Sequence, residues 1–367
     1  MSLDFSKFRR WLRRILLVLN ILVGLGLWLC CLSTRFEPYD WPMFSLLGLA
    51  FPVFLLADIL FTIPWLIVNY RRAWVPWAIL LPCLGYALDY CPISLNSQAP
   101  EDCIKILSWN TGNFGSHYQA AEGEEKTGKD LTTEYIRNSN ADIICLQESG
   151  IWDAAITEFT NDMDSLGYHN DRYLGCYLYT RFPILESDTL RYDTHTENGV
   201  RGNGSKWYKL LVGKDTIVLI NNHLESNRLR EEVKTQYVET LDKPDYVQIK
   251  KSSHTIGSQL MYSTSLRGHQ ADSLAALAKR FKNLPIIMCG DFNDTPISYT
   301  YQRINSILKS AFRESGNGIG ISFNERGFWV RIDHLFISRH WKSYNTQIDN
   351  SINASDHYPL VSWLKME

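Results

Sequence analysis

Several polar positions of this 367-residue sequence fall where short, β-like apolar runs end. Asn110 follows Ile104 to Trp109, Glu148 follows Ile143 to Gln147, and His223 follows Ile217 to Asn222. Asp291 and Asn293 follow Ile286 to Gly290, Asp333 sits beside Ile332, and Asp356-His357 precede a last strand-like run. In α/β sheets, ligands bind at strand ends. Carboxylates and amide oxygens suit a hard cation such as Mg²⁺, and two histidines add groups able to stabilise or protonate a phosphate oxygen. Taken singly, each residue has an ordinary reading. A Glu after a strand is commonly a solvated loop end, an Asn there a turn former, and Gly290 to Asp294 a turn with Asx hydrogen bonds. The chemical reading rests on all of them together, in one order, each at a strand end.

The elements that must position them are short β-rich runs alternating with helical stretches from Asp102 onward. Strands are expected at Cys103 to Trp109, Asp142 to Gln147, Leu174 to Tyr179, Lys206 to Val212, Thr216 to His223, Pro285 to Cys289, Arg331 to Ser338 and Pro359 to Leu364. Helices are expected at Leu131 to Asn138, at 269 to 282 and near Tyr299 to Leu308, with Ala271, Leu274, Leu277, Ala278 and Phe281 forming one apolar stripe. Hairpins intrude among the alternating elements, which favours α/β architecture with mixed sheets. Residues 225–266 stand apart as polar and charged, through Arg228, Arg230, Glu231, Glu232 and Lys234, and are interrupted by Asp242-Lys243-Pro244-Asp245. They read as a helical insertion over one face, serving as a substrate-facing lid or as a flap on the N-terminal region.

The runs Ile106-Leu-Ser-Trp-Asn110, Asp142-Ile-Ile-Cys-Leu-Gln-Glu148, Asn222-His223-Leu224, Gly290-Asp-Phe-Asn293, Arg331-Ile-Asp333 and Ser355-Asp-His357 resemble the successive motifs of the endonuclease/exonuclease/phosphatase superfamily. Tyr177-Leu-Tyr-Thr-Arg-Phe-Pro183 and Arg267 with Gln270 resemble lesser signatures. The resemblance spans about residues 103–365. It implies a four-layer α-β-β-α sandwich of two mixed β-sheets and a Mg²⁺ site, with Mn²⁺ as a substitute. Glu148 would be the principal metal ligand, with Asn110 and Asp356 close to the ion. Asp291 would orient or deprotonate the attacking water, and Asn293 would hold it or a phosphate oxygen. His223 and His357 would contact the scissile phosphate, with Asp333 fixing the imidazole of His357. Asn113, Arg181 and Arg267 are the expected substrate contacts. Abasic-site enzymes of the superfamily carry an acid where this sequence has Gly112, which weakens the DNA-repair reading.

Before residue 98 lie three apolar stretches, Ile15 to Leu32, Trp41 to Val68 and Trp74 to Leu88. They predict a membrane anchor over 1–98 with spans at about 15–33, 42–68 and 73–90, followed by a catalytic domain over 99–367. A cleavable signal peptide would explain only the first. Lys7, Arg9, Arg10, Arg13 and Arg14 precede the first span and Arg71-Arg72 follow the second, so both clusters belong on the cytoplasmic side. With three spans the catalytic domain lies outside the cytoplasm, in an integral protein of the cytoplasmic or inner membrane; a surface-lying third helix would invert that. Asp58 and Asp89 are either a membrane-embedded functional site or bundle-facing and interfacial carboxylates.

Residues 1–98 carry eight Lys/Arg and five acids, leaving 29 basic and 34 acidic residues beyond, a net of −5. That balance disfavours tight grip on a nucleic-acid duplex. Disordered and disulfide-scaffold classes are excluded by 45% hydrophobic and 21% charged content. Cys145, Cys176 and Cys289 sit in strand-like runs without metal or disulfide spacing and read as buried small hydrophobes. Three functions remain. The first is a membrane-anchored phosphoesterase acting on a phosphodiester or phosphomonoester, whether lipid headgroup or small ester. The second is a nuclease of the same fold, and the third an inactive tethered binding module. The bilayer is the expected partner of the N-terminal helices, and no obligate protein partner is evident.

Overall fold

Two six-stranded sheets pack face to face with helices on their outer faces, and the apolar runs of the sequence are unbroken because both faces of the central strands are covered. The computed structural model describes residues 5–95, 98–116, 118, 126–150, 154–173, 175–190, 192, 203–227, 234–235, 238–239 and 246–367. Its strands are β1 (Ile104–Asn110), β2 (Ile143–Gln147), β3 (His169–Tyr173), β4 (Cys176–Thr180), β5 (Ile184–Leu190), β6 (Gly204–Val212) and β7 (Asp215–His223). They continue with β8 (Ile286–Asp291), β9 (Lys309–Ser310), β10 (Phe323–Glu325), β11 (Phe328–Val330), β12 (Asp333–Ile337), β13 (Trp341–Ile348) and β14 (Leu360–Met366). One sheet runs β13-β14-β1-β2-β4-β3, the other β5-β6-β7-β8-β12-β9, and β10-β11 form a separate hairpin. The β1-β2 and β7-β8 pairs are parallel, whereas their outer neighbours are antiparallel, so both sheets are mixed.

Strand periodicity assigns each side chain to a layer. On β2, Ile143 and Cys145 face the inter-sheet core with Leu219 and Cys289, while Ile144 and Leu146 turn outward. There they pack with Ile136 and Phe159 of the covering helices Gly128–Asn138 and Ala154–Ser165. On β8, Ile287 and Cys289 face inward, and Ile286 and Met288 lie under Leu274 and Ala278 of the long helix Tyr246–Arg280. Cys145, Cys176 and Cys289 are free and buried.

Two features differ from expectation. Tyr246–Arg280 is a single 35-residue helix, so the second half of the expected insertion runs without a break into the helix expected at 269–282. No proline interrupts the sequence from Val247 to His269, so nothing there breaks the helix. The segments with Arg228, Arg230, Glu231 and Glu232, and with Asp242 to Asp245, lie outside the described residues. At the N-terminus, Lys7–Ser33 and Pro42–Arg72 are long and apolar enough to cross a membrane, whereas Val75–Tyr90 is not. Its 16 residues rise about 24 Å against about 30 Å of hydrocarbon. Two candidate spans therefore replace the expected three.

Asp58 faces the bundle, where its Oδ1 accepts from Asn20 Nδ2 at 2.9 Å and Asn20 Oδ1 accepts from Trp65 Nε1 at 3.1 Å. Asp89 is interfacial. Its carboxylate takes Arg313 Nη1 at 2.7 Å and Gln302 Nε2 at 2.9 Å, and its carbonyl takes Arg331 Nη2. The helix ends around Cys31, Phe51 and Cys83 form one apolar cluster with Ile297 of the catalytic domain. Tyr39 stacks on His269 with centroids 4.0 Å apart. The sandwich thus docks at the Ser33–Pro42 end of the helices, opposite both basic clusters.

Candidate active site

Register alone assembles half of the site. His223 at the end of β7 pairs with Asp291 on β8, and Asp291 pairs with Asp333 on β12, so three functional side chains form one row across adjacent strands. Partners in register project to the same face. Gly290 makes the row possible. Its φ is +131°, and a Cβ there would lie 2.0 Å from the Asn222 carbonyl oxygen, so only glycine permits β7 and β8 this close.

The other sheet supplies the facing wall. Asn110 ends β1 and Glu148 follows β2. Asn110 Nδ2 donates to Asp291 Oδ2 at 3.0 Å, and its Oδ1 accepts the Gly112 N–H at 3.1 Å. Below this bond Gln147 Nε2 donates to Asn221 Oδ1 at 2.7 Å, and Asn221 Nδ2 to the Leu146 and Tyr177 carbonyls. These buried amides pin the sheets together directly beneath the site. Glu148, Asn293 and Asn113 have φ of 48°, 52° and 56°. Three neighbouring strand ends thus carry non-glycine residues in the left-handed region, a backbone conformation that is held only where the surrounding structure enforces it.

Glu148, His223 and Asp291 each bring a ligand atom within 4.8 Å of the others, as do Asp291, Asp333 and His357. His223 Nε2 is 3.4 Å from Glu148 Oε1 and 3.8 Å from Asp291 Oδ2. His357 Nδ1 meets Asp333 Oδ2 at 2.8 Å, leaving Nε2 3.8 Å from Asp291 Oδ2. Trp109 Nε1 donates to the His357 carbonyl at 2.8 Å, and Ser355 Oγ to the Asn110 carbonyl at 2.9 Å, tying this loop to β1. Asp291 is 1% exposed. Burial raises its pKa and Asp333 adds to the rise, while His357 and His223 oppose it. For His357 burial favours the neutral ring, yet the charges of Asp333 and Asp291 outweigh it and push the pKa up to about 10. The two carboxylates therefore favour the charged ring.

Not every expected residue joins this cluster. Asn293 does, its N–H donating to Asp291 Oδ1 at 2.8 Å and its Nδ2 to the Leu224 carbonyl at 3.2 Å. Asn113 stands at the rim, its N–H on the Glu148 carbonyl. Asp356 is exposed beside Gly112 and outside both close-set groups. Arg181 follows β4, whose antiparallel course on β2 carries it to the end away from Glu148, where it meets Tyr168 and Asp142. It is not a site residue. Arg267 is 2% exposed, and Glu225, Asn227, Thr264 and Asp294 take its guanidinium. It braces the loops rather than facing a substrate. Sequence reasoning assigns no role to Gln147, Asn221 or Trp109; a polar amide inside an otherwise apolar strand was the available signal.

A sequence profile described as "Endonuclease/Exonuclease/phosphatase family" matches residues 107–357, more than half of the chain. The chain belongs to the endonuclease/exonuclease/phosphatase family. It is thus a hydrolase of phosphate-ester bonds. A second profile, of a domain of unknown function, matches residues 13–90. Curated proteins give no match. Among solved structures, the human Nocturnin catalytic domain with bound sulfate is similar at 18% identity and a TM-score of 0.51, over 74% of this chain and 97% of that one. An endonuclease/exonuclease/phosphatase family protein from Bacteroides thetaiotaomicron is similar at 16% identity and a TM-score of 0.51, over 74% of this chain and all of the other. At such identities the likeness is one of fold.

Proposed function

We propose that this protein is a membrane-anchored, divalent-metal-dependent phosphoesterase that hydrolyses a phosphodiester or phosphomonoester by in-line attack of water, on the non-cytoplasmic side. The observation that carries the reading is the row His223, Asp291, Asp333 with Glu148 facing it. The donor set fits a hard cation. Glu148, His223 and Asp291 offer atoms close enough to share one ion, and buried Asp291 lies between Glu148 and Asp333, a concentration of negative charge that a cation offsets. Mg²⁺, with Mn²⁺ as substitute, would be held there by Glu148, beside Asn110. When bound, such an ion neutralises charge on a phosphate oxygen.

The side chains divide the rest of the work. Asp291, more basic than an ordinary carboxylate, accepts the proton of the attacking water. Asn293 orients that water or a phosphate oxygen. Asp333 fixes the direction of His357 and favours its charged form, whose positive charge and Nε2–H stabilise the charge that develops as the water oxygen bonds to phosphorus and the ester oxygen departs. His223, on the other side of Asp291, is placed to contact the same phosphate and protonate the leaving oxygen. The products are one alcohol and one phosphate acid.

Two observations support the placement. Lys7–Ser33 and Pro42–Arg72 suit a bilayer, and the catalytic domain docks at the end opposite Lys7, Arg9 and Arg71-Arg72. If the basic ends are cytoplasmic, the domain is not, provided that Val75–Tyr90 carries the chain back across the bilayer. The test is hydrolysis of bis(p-nitrophenyl) phosphate by the purified full-length protein with Mg²⁺ or Mn²⁺. EDTA, Asp291→Asn, Glu148→Ala and His357→Ala should each abolish it; wild-type rates in all of them would refute the assignment.

A further inference from the structure

A cavity of about 170 Å³ opens beside Asn293, between the membrane helices and the reaction centre. One wall is the first turns of the second membrane helix, through Leu46 and Leu49. The opposite walls are Leu260 of the long helix, Ile297 after β8, and Phe328 and Val330 of the β10-β11 hairpin. Its polar lining is already engaged: Arg267 is bonded to Asp294, Thr264 and Asn227, and Asn293 to Leu224. A polar guest would gain little there, whereas hydrocarbon would.

We infer that this cavity receives the first carbons of a lipid chain, so that the substrate is a membrane phospholipid presented to Asp291 with its hydrocarbon held between anchor and catalytic domain. The inference rests on the phosphoesterase reading and names its substrate class. Three relationships carry it. The wall at Leu46 and Leu49 belongs to a helix long and apolar enough to span a bilayer, so the cavity adjoins the region where lipid is the solvent. Asn293 belongs to both cavity and reaction centre, two residues from Asp291. The β10-β11 hairpin joins them as well: Phe328 lines the cavity, while Phe323 lies against His357 with centroids 5.0 Å apart. The hairpin also carries Trp329, 57% exposed, and the adjoining anchor exposes Trp41 and Met43. Large amphipathic and apolar side chains so placed are what a protein presents at a membrane interface.

The volume makes the inference quantitative. An apolar cavity of about 150 Å³ holds a six-carbon ring, so this one holds about six carbons. A series of n-alkyl phosphates with two to ten carbons, used as inhibitors of bis(p-nitrophenyl) phosphate hydrolysis by the full-length protein, reads it without choosing a headgroup. Ki should fall about fourfold per methylene, the factor that burial of one methylene supplies, and level off near six carbons. Leu49→Trp and Leu260→Trp fill the cavity from opposite walls, and each should flatten the series. A Ki independent of chain length in the wild type, an undiminished slope in both variants, or inhibition by a dinucleotide tighter than by hexyl phosphate would overturn the lipid-chain site while leaving the phosphoesterase intact. Absence of ester hydrolysis under any divalent ion would overturn both.

Discussion

Asp333 lies directly opposite Asp291 across the antiparallel β8-β12 ladder, and from that position its Oδ2 takes Nδ1 of His357 at 2.8 Å. The relationship gives two buried carboxylates in one row different duties. Asp291 lies 3.8 Å from Nε2 of both His223 and His357, whereas Asp333 holds Nδ1 of His357. The carboxylate on Nδ1 fixes the direction of the His357 ring and favours its charged form.

Asp333→Asn keeps the size of the side chain and removes that charge. We expect kcat to fall by about 10³ to 10⁴, the cost of losing the orienting carboxylate of a catalytic histidine, with KM little changed. Steady-state kinetics on a generic phosphodiester measure this, and a loss confined to KM would contradict the orienting role.

Glu148 has a half-exposed side chain beside buried His223 and Asp291, which suits the ligand through which a cation enters. Glu148→Gln should weaken divalent-ion binding by more than about tenfold, the loss that follows even when only a supporting partner of a metal ligand is removed. Calorimetric titration of the metal-stripped protein with Mn²⁺ reads it without any turnover. Unchanged affinity would move the ion away from Glu148.

Gly290→Ala drives a methyl group into the Asn222 carbonyl at a φ of +131°. It should cost about 2 kcal/mol or more and lower the melting temperature by about 5 °C. Activity should fall beyond the loss in folded protein, because Asp291 must shift with its neighbour.

His334 packs against Tyr301 and Phe292 and bonds the Asp294 carbonyl at 2.8 Å. Burial, with Arg331 nearby, lowers its pKa from 6.5 to about 3. The unfolded chain therefore takes up a proton that the folded protein refuses. The stability from the neutral ring is complete above pH 6.5 and is lost as pH falls toward 3, at up to about 1.4 kcal/mol per pH unit. His334→Gln should show a shallower decline of melting temperature between pH 6.5 and 5 than the wild type. Parallel curves would show that His334 is not the titrating group.

How far the sequence could be read depended on how local the signal was. The apolar runs of β1, β2, β7 and β8 are written in consecutive residues, so these strands and the polar residues at their ends were legible. β3, with His169, Asn170, Asp171 and Arg172, and β5, with Glu186, Ser187 and Asp188, carry no such pattern. They are edge strands held by their neighbours' hydrogen bonds, where tertiary pairing overrides weak propensity. The third apolar stretch looked like a span by composition, but its helix is too short for one.

By itself the sequence determined the chemistry: which side chains are present, their order, the strands that end at them, and an apolar N-terminus flanked by Lys and Arg. Only the tertiary structure decided which of them meet. Strand direction put Arg181 at the far end of its sheet, packing used up the guanidinium of Arg267, and cross-strand register set His223, Asp291 and Asp333 side by side. It also packed the apolar N-terminal helices onto Ile297, closing a cavity next to Asn293. The physical reason is range. Propensity and periodicity act over a few residues, whereas a site is built by contacts between segments tens to hundreds of residues apart, which exist only once the core has formed.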